Sequence, residues 1–508
     1  MAVKNLVADL VAERCRRAPE RPAVRFGGAT TTYHEIDAWS EAVASSLKGS
    51  GVAPGDLVAV AVDRGPTLVA ALLGVLKARA AYVPLDMGHP RRRTDSILTH
   101  AGPRAVLASA EYEKRLHRWR IVRMPCRPVE LSAAHMDDRS VSRSGRFDGR
   151  AYVTYTSGST GEPKGVVCTH EGVMAYLSAM IEEFALGEDD QVLSMMSVAF
   201  DPSVRDIFGT LIAGATIVMA SSREIFDPAA LADLIEHERV TSCLSIVPRA
   251  LETLIEELES RPRCMDMRQV VSCGDVLSGP IARRAREAFD CEVINQYGPT
   301  ECTMAATFHR VVASDLAASC VPIGTEIGGA IVRVLDRRRD QVPVGAVGEL
   351  AIGGAGLAQG YLGRPDLTAE RFVPDPWNEG GRLYLTGDLG RRRGDGLLEF
   401  VGRIDDQAPG SRADPRAVAA ALRADAAAKD VEVAPLPDGA GGFRLVAFVV
   451  PFGTVDDPVA RTKVQEVLRR FTINSQILMI ERMPLTPNGK VDRRALLDLH
   501  RSSLQGPR

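Results

Sequence analysis

The stretch Arg150-Ala-Tyr-Val-Thr-Tyr-Thr-Ser-Gly-Ser-Thr-Gly-Glu-Pro-Lys-Gly165 joins a strand-like run to a loop with three glycines and a lysine. Its first six residues have the β-branched and aromatic content of a strand. The glycines permit tight turns and let backbone N–H groups approach an anion, while Lys164 supplies a positive charge. Because glycine follows the lysine, the loop departs from the GxxxxGK[ST] pattern of ordinary nucleotide-binding loops. We expect a phosphate-binding loop between an apolar strand and a helical segment.

Short apolar runs alternate with helical patterns along most of the chain. Residues 57–62 and 216–220 read as strands, and residues 67–77 and 228–238 read as amphipathic helices. This alternation predicts an α/β fold, with parallel sheets layered between helices. A segment rich in valine, glycine and turns, from about 321 to 362, predicts a β-rich subdomain.

The composition changes after Gly402-Arg-Ile-Asp-Asp-Gln407, where the chain becomes rich in alanine and arginine. We therefore expect an N-terminal core domain over 1–404 and a small α+β C-terminal domain over 405–508. The smaller domain is predicted to contain a helix over 416–428, a strand over 443–450 and a helix over 458–471.

The composition restricts the class of protein and of partner. The 62 basic and 65 acidic residues of this 508-residue chain give a net charge of -3, which argues against a general nucleic-acid binder. Nine cysteines occur without a CxxC pair, which is typical of buried thiols in a reducing compartment. Early acidic residues argue against a signal peptide, and no apolar run approaches the ~18 residues of a membrane span. We expect a cytoplasmic protein with no nucleic-acid or membrane partner.

The loop TSGSTGEPKG at 156–165 resembles the phosphate loop of the adenylate-forming superfamily, which includes acyl-CoA synthetases, luciferases and the adenylation domains of nonribosomal peptide synthetases. Further motifs follow in the family's order over nearly the whole chain. They are TYHEI at 32–36, LKARAAYVPLD at 76–86, NQYGPTE at 295–301, GEL at 348–350, YLTGDL at 384–389, GRID at 402–405 and PNGK at 487–490.

The resemblance implies that ATP and Mg²⁺ are bound. The β- and γ-phosphates would be held by Lys164 and by the loop residues Thr156, Ser157, Gly158, Ser159, Thr160 and Gly161. Glu301 would bind Mg²⁺, with Thr300 near the α-phosphate. Tyr297 would stack on adenine, beside Gly298 of the same motif, and Asn295 would hydrogen-bond the adenine edge. Asp388 would bind the ribose hydroxyls, Arg403 would contact the ribose side, and Lys490 would bridge the substrate carboxylate and the phosphate.

Each of these residues, taken alone, also has a structural explanation. Asp388 would suit a turn or cap, Tyr297 a core aromatic, and Lys490 a solvated hairpin. Their joint occurrence in the family's order favours the site.

Phe200-Asp-Pro-Ser-Val-Arg-Asp-Ile-Phe208 resembles the amino-acid-activating branch, in which the aspartate pairs with the substrate ammonium. The alternative for Asp201 is an N-cap. By resemblance, the selectivity pocket comprises Asp201, Pro202, Arg205, Ser245, Val271, Cys273, Gln296, Met304 and Ala305. The polar members predict an α-amino acid with an acidic or hydrogen-bonding side chain, nonproteinogenic ones included. A small apolar substrate stays open if Arg205 turns outward or pairs with Asp206.

The chain ends about 18 residues after Lys490 without a carrier domain. We therefore expect a stand-alone enzyme that loads a separate carrier protein through its phosphopantetheine thiol, after a mobile C-terminal lid swings about Asp405. Dependence on an MbtH-like protein stays open. The segments 407–414 and 468–475 depart from the family pattern, which keeps two alternatives: a ligase that passes the adenylate to an amine or CoA, or a non-catalytic homologue that acts as a binding partner.

Overall fold

The structure is a computed structural model. It describes residues 6–124, 147–157, 163–259, 261, 266–404, 415–425, 428–437, 443–470, 475–485 and 491–504. Within these ranges the chain alternates strands and helices, which confirms the predicted α/β class.

The largest sheet has nine described strands, and its central neighbours run parallel. In spatial order the strands are Thr325–Glu326, Thr307–Arg310, Glu292–Tyr297, Gln269–Cys273, Ser242–Ile246, Gln191–Ser194, Thr216–Met219, Pro22–Phe26 and Ala29–Thr32. The edge strands are antiparallel to their neighbours. Ser242–Ile246 and Gln269–Cys273 are buried at every position, as expected for parallel strands that are covered on both faces.

A second sheet has seven described strands. They are Gly360–Tyr361, Pro163–Thr169, Arg150–Ser157, Ala81–Pro84, Leu57–Ala61, Ala105–Ala108 and Ile121–Arg123. The strands predicted over 57–62 and 150–155 both belong to it.

One expectation about the opening stretch is wrong. The first residues described after the glycine-rich stretch do not form a helix, because Pro163–Thr169 is a strand that pairs antiparallel with Arg150–Ser157. The β-branched run Val166-Val-Cys-Thr169 carries this preference, and the helix His170–Glu183 starts only afterwards. Gly165 lies close to the facing strand, since a Cβ atom on it would lie 3.0 Å from the Tyr155 ring.

The longer helices cover the sheets or pack on one another. They are Val7–Arg17, Tyr33–Gly49, Pro66–Lys77, Arg91–Ala101, His170–Glu183, Pro228–His237, Pro248–Leu258, Gly279–Phe289 and Pro365–Arg371. The TYHEI motif begins one of them: Thr32 and Glu35 form a reciprocal capping box. Pro66–Lys77 packs so closely on Tyr33–Gly49 that a Cβ atom on Gly74 would lie 2.5 Å from Val43.

The segment expected to form a β-rich subdomain is shared among three sheets. A five-stranded sheet contains Ala330–Leu335, Gly348–Gly354, Arg382–Arg392, Phe372–Pro374 and Leu398–Arg403. Thr325–Glu326 and Gly360–Tyr361 instead extend the nine- and seven-stranded sheets.

A three-stranded sheet lies near the C-terminus, made of Ala428–Pro437, Phe443–Pro451 and Ser475–Met479. Helices Pro415–Asp425 and Pro458–Arg470 pack on the face that carries Val431. Residues of Arg493–Leu504 pack on the opposite face, which carries Phe448. Strand and helices follow the pattern expected for this part of the chain.

The chain divides into two compact units. The first comprises Met1–Leu335, Leu350–Thr386 and Arg392–Glu399. The second comprises Asp336–Glu349, Gly387–Arg391 and Phe400–Arg508.

Candidate active site

The phosphate-loop residues that the structure describes stand at the ends of two paired strands. Thr156 and Lys164 are direct cross-strand partners at the end of this strand pair that adjoins the glycine loop, and Ser157 follows Thr156. The predicted loop residues Gly158, Ser159, Thr160 and Gly161 lie outside the described residues.

Lys164 and Glu301 are brought to the same tyrosine. The hydroxyl of Tyr361 donates a hydrogen bond of 2.7 Å to Glu301 Oε1, and Lys164 Nζ lies 5.9 Å from the centre of the Tyr361 ring. The strand Gly360–Tyr361 pairs with the strand that carries Lys164, and Ala358 N donates to Glu301 O at 2.9 Å. Backbone pairing therefore fixes the meeting of three motifs that are far apart in the sequence.

Two buried tyrosine hydroxyls surround the Glu301 carboxylate. The Tyr361 and Tyr384 oxygens are 3.3 Å apart, and all three side chains are buried. Burial raises the pKa of both tyrosines, and the negative charge of Glu301 raises it further, so both stay protonated. Sequence reasoning missed Tyr361 because a tyrosine after a glycine carries no signal of its own.

The NQYGPTE motif folds back sharply on itself. Ala306 N donates to Tyr297 O at 2.9 Å, and a Cβ atom on Gly298 would lie 2.4 Å from Ala305 Cα. Thr303 and Met304 have φ values of 54° and 78°, a left-handed pair that costs roughly 1–2 kcal/mol per residue. This turn holds the predicted adenine and pocket residues within one short segment.

Asn295 is buried, and its side-chain amide is partly used by the protein. Its Nδ2 donates to Val321 O at 3.2 Å and to Pro322 O at 2.9 Å. Both N–H groups are thus engaged, so only the amide oxygen would be available to a nucleotide base.

The two residues expected at the ribose lie in the second unit and pair with each other. Arg403 Nη1 lies 2.8 Å from Asp388 Oδ1, and Asp388 is buried. Gly387 N donates to Glu349 Oε1 at 2.8 Å, which joins the TGD residues, inside the strand Arg382–Arg392, to the GEL motif. Lys490 lies outside the described residues.

The predicted pocket residues converge from neighbouring elements of the first unit. Cys273 and Gln296 are direct partners on adjacent parallel strands, and Ser245 lies on the next strand. Except for the half-buried Pro202, every member of the set is buried. Asp201 accepts no capping hydrogen bond from the short helix Pro202–Val204 that follows it, so the N-cap alternative is not observed.

Arg205 is held by the protein through all five of its N–H groups. Its Nε and Nη2 donate to Ser245 Oγ at 3.2 and 2.6 Å. Its Nη1 donates to the Tyr176 hydroxyl at 2.9 Å and to Gln296 Oε1. Nη2 also lies 3.4 Å from Cys273 Sγ. At 1% exposure, the side chain does not turn outward.

Asp206, which the sequence analysis named as an alternative partner of Arg205, completes this network, whereas sequence reasoning missed Tyr176. A five-residue π-helical turn, Arg205–Gly209, directs Arg205 and Asp206 inward together. Asp206 Oδ1 lies 3.9 Å from Arg205 Nε and accepts a hydrogen bond from Ser245 Oγ. Burial raises the pKa of Asp206, although Arg205, the Ser245 hydrogen bond and Arg64 oppose the shift.

The described residues contain no group of three or more His, Cys, Asp or Glu side chains that would form an all-protein metal site. Every helix within the described ranges is too short or too polar to cross a membrane.

Comparisons with known proteins identify the family. The model of the AMP-binding enzyme family matches residues 11–362. The chain is 33% identical over 502 residues to tyrocidine synthase 3 of Brevibacillus parabrevis, covering 97% of this chain and 8% of that protein. It is 36% identical over 507 residues to a dimodular nonribosomal peptide synthase of Bacillus subtilis (strain 168), covering 96% of this chain and 20% of that protein. The chain thus spans a fifth or less of the length of these relatives.

Solved structures give the same result. The four-domain nonribosomal peptide synthetase holo-AB3403, bound to AMP and glycine, matches with a TM-score of 0.84 and 26% identity over 97% of this chain and 36% of that one. The α-methyl-L-serine-AMP bound form of the synthetase FmoA3 (S1046A) matches with a TM-score of 0.77 and 32% identity over 97% of this chain and 50% of that one. The chain belongs to the AMP-binding enzyme family, within the adenylate-forming superfamily that its motifs resemble.

Proposed function

We propose that this chain activates an α-amino acid with ATP. An oxygen of the amino-acid carboxylate attacks the α-phosphorus, the bond to the β-phosphate oxygen breaks, and aminoacyl-AMP and pyrophosphate form. The observation that carries the proposal is the meeting of Lys164 and Glu301 at Tyr361, because it brings a cation and an acidic residue together beside the phosphate-loop strands. The family match and the bound AMP of a solved relative support it.

The first unit offers groups suited to the charge that develops on the phosphates. Lys164 would neutralise the departing pyrophosphate together with Thr156, Ser157 and the glycine loop, and Thr300 would lie near the α-phosphate. Tyr297 would stack on adenine. The Asn295 amide oxygen would accept a hydrogen bond from the exocyclic amino group of the base, because its N–H groups are engaged by the backbone.

Mg²⁺ fits Glu301 as a single protein ligand. The carboxylate supplies hard oxygen donors, and the described residues offer no cluster of acids that would complete a protein cage, so phosphate oxygens and water would fill the other positions. When bound, the ion would neutralise phosphate charge. Tyr361 would hold the carboxylate in one orientation.

Asp388 would bind the ribose hydroxyls, with Arg403 orienting that carboxylate. Asp201 would pair with the substrate ammonium, and Lys490 would bridge the carboxylate and the phosphate.

We keep 1–404 and 405–508 as the proposed core and lid domains. The lid would move so that the phosphopantetheine thiol of a carrier protein attacks the acyl carbon of the adenylate, forming a thioester and releasing AMP.

Amino-acid-dependent exchange of labelled pyrophosphate into ATP tests the adenylation step. Exchange with at least one amino acid is expected, and Lys490→Ala should abolish it without unfolding the chain.

Mass analysis of products with a carrier protein, CoA or an amine as acceptor then tests the second step. A product on the amine or on CoA alone would refute transfer to a carrier, and absence of exchange with every amino acid would refute adenylation. Co-expression with and without an MbtH-like protein tests that partner.

A further inference from the structure

The arginine in the proposed amino-acid pocket has no N–H group left for a substrate. A guanidinium carries five N–H donors, and Arg205 directs all five at Ser245, Tyr176, Gln296 and Cys273. Asp206 already stands beside it as a carboxylate of the protein. A substrate carboxylate would have to displace these partners and lie against a second carboxylate in a buried site, which is costly.

The space around this network is filled by the protein. Arg205 and Tyr176 are among the largest fully buried side chains of the chain, and Ser245 and Val271 are completely buried. The Ser245 hydroxyl is saturated as well, since it accepts from Arg205 and donates to Asp206. A long substrate side chain therefore has no room at this end of the pocket.

One hydrogen-bond donor in the pocket has no partner. Gln296 is 2% exposed, and its Nε2 makes no hydrogen bond with a described residue. The amide cannot be turned round, because Arg205 only donates and therefore requires the amide oxygen on its side. Tyr176 donates to the same oxygen at 3.1 Å. The network thus leaves the N–H groups of Gln296 directed away from Arg205.

A buried donor without an acceptor is unfavourable, so a ligand that brings an oxygen would complete the site. Within the network of Arg205, Tyr176, Ser245 and Asp206, the atom Asp206 Oδ2 also makes no hydrogen bond with a described residue, but the Asp206 carboxylate interacts electrostatically with the protein cation Arg64. Gln296 is therefore the group that awaits a ligand acceptor.

We propose that the pocket selects a small, uncharged amino-acid side chain that carries an oxygen acceptor, such as a hydroxyl, and that Gln296 Nε2 reads this oxygen. Arg205, Tyr176 and Asp206 are positioning residues that orient Gln296 and close the floor of the pocket. This inference rests on the proposed adenylation of an α-amino acid. The residue types alone predicted a substrate with an acidic or hydrogen-bonding side chain. The hydrogen-bond network favours the hydrogen-bonding side chain, and a small one.

Pyrophosphate exchange with the full chain, measured as kcat/KM for matched amino acids, tests the proposal. Serine and threonine should exceed alanine and 2-aminobutyrate by at least about tenfold, because the latter pair lack only the oxygen. Aspartate and glutamate should fall below serine. Fastest exchange with an acidic amino acid, or equal rates with and without the hydroxyl, would refute the pocket proposal alone. No exchange with any amino acid would refute the proposed function, and the pocket proposal with it.

Gln296→Met is the sharpest variant, because it keeps the length of the side chain and removes both N–H donors without adding a charge. The serine-to-alanine ratio of kcat/KM should collapse towards one, whereas a purely structural defect would lower both rates equally. Tyr176→Phe and Arg205→Lys should lower the same ratio partially, because each loosens the amide without removing its donors. Should Gln296→Met fail to fold, Gln296→Leu makes the same test, because it also lacks both donors and carries no charge. An unchanged ratio in a folded Gln296 variant would refute the assignment.

Discussion

The candidate site has a nucleotide end, which contains Lys164, and an amino-acid end, which contains Arg205. The two cations differ in whether the protein already uses their charge. Lys164 is half-buried and forms no ion pair with a described residue; its ammonium lies over the face of Tyr361. Arg205 is 1% exposed and is held by hydrogen bonds from every N–H group. The first cation is available to a ligand, whereas the second belongs to the structure.

This difference shows why a residue type does not fix its role. A lysine is a compact, mobile charge, and an arginine offers a rigid fork that suits several acceptors at once. In this chain the guanidinium of Arg205 hydrogen-bonds only with the protein. It acts on the substrate indirectly, by orienting the side-chain amide of Gln296.

Gly298 belongs to both ends, because it lies between the predicted adenine residue Tyr297 and the pocket residues Met304 and Ala305. A methyl group here would overlap Ala305 Cα at 2.4 Å and Ala306 N at 2.6 Å, both of them backbone atoms that cannot rotate away. We expect Gly298→Ala to abolish pyrophosphate exchange and to lower the thermal midpoint strongly. Gly187→Ala is the control, since nothing lies within 4 Å of its added Cβ. Normal exchange by Gly298→Ala would mean that the fold-back turn differs.

Removing Arg205 should mainly lower stability, whereas removing Lys164 should mainly lower activity. Arg205→Met leaves Asp206 buried beside a neutral group, and we expect a loss of about 3–5 kcal/mol in the free energy of unfolding. Lys164→Met should change stability by less than about 0.5 kcal/mol, because the side chain is partly exposed. It should instead lower the exchange kcat by about 100-fold, the effect of losing one preorganised charge. Urea denaturation and exchange kinetics on both variants make the comparison.

The double variant Arg205→Met with Asp206→Leu separates loss of packing from the cost of an unpaired carboxylate. Because both charges are removed together, a large part of the stability lost in Arg205→Met should return. No recovery would show that Asp206 does not depend on Arg205. Equal stability of Arg205→Met and the unchanged chain would contradict the buried network itself.

Much of the fold was predictable because its signals are local. Alternating apolar runs and helical patterns located Leu57–Ala61, Thr216–Met219 and Pro66–Lys77 to within a residue or two. The strand Pro163–Thr169 was not predicted, because its β-branched residues are few and directly follow a glycine-rich stretch that indicates a loop. The segment 321–362 was assigned to one subdomain because strand pairing between sheets is not encoded in local composition.

The motifs could be located from the sequence, but the contacts between them could not. Tyr361 lies 60 residues from Glu301, and Tyr176 lies 29 residues from Arg205, so only the folded chain joins them. The π-helical turn that directs Asp206 inward has no sequence signature. Residue types therefore predicted a polar pocket, whereas the direction of each hydrogen bond indicates which polar group remains for a substrate.

The two ends are linked by one continuous segment, and a buried histidine lies at its centre. The strand Pro163–Thr169 carries Lys164, and the helix His170–Glu183 carries Tyr176. His170 is 0% exposed, neither ring nitrogen has a hydrogen-bond partner among the described residues, and its ring lies 5.8 Å from that of Phe147. Burial, assisted by Arg79 and opposed by Asp9, lowers the pKa of His170 to about 4.

Because the pKa of His170 is lowered in the folded state, the unfolded chain takes up the proton first as the pH falls. The stabilising effect of the neutral ring is complete above the ordinary pKa of about 6.5 and is lost progressively down to about pH 4. We expect the folded state to lose about 2 kcal/mol between pH 8 and pH 5 from this group. His170→Leu should remove that part of the pH dependence in urea titrations, whereas His34→Leu, at an exposed histidine, should not. Parallel pH profiles for His170→Leu and the unchanged chain would contradict the buried, neutral ring.

The smallest effect is expected at the hydroxyl of Tyr361. This hydroxyl orients Glu301 at the nucleotide end, as Tyr176 and Arg205 orient Gln296 at the amino-acid end. Tyr361→Phe keeps the ring under Lys164 and removes only the donor to Glu301, so stability should fall by about 1 kcal/mol. Exchange at limiting Mg²⁺ should fall about tenfold, with partial recovery at saturating Mg²⁺, because the carboxylate loses one fixed orientation. Tyr33→Phe is the matched control: its hydroxyl donates to Ala215 O at 2.7 Å, so its loss should cost stability without changing the Mg²⁺ dependence. If both variants respond to Mg²⁺ alike, Tyr361 serves packing only, and the orientation of Glu301 must come from the backbone contact with Ala358.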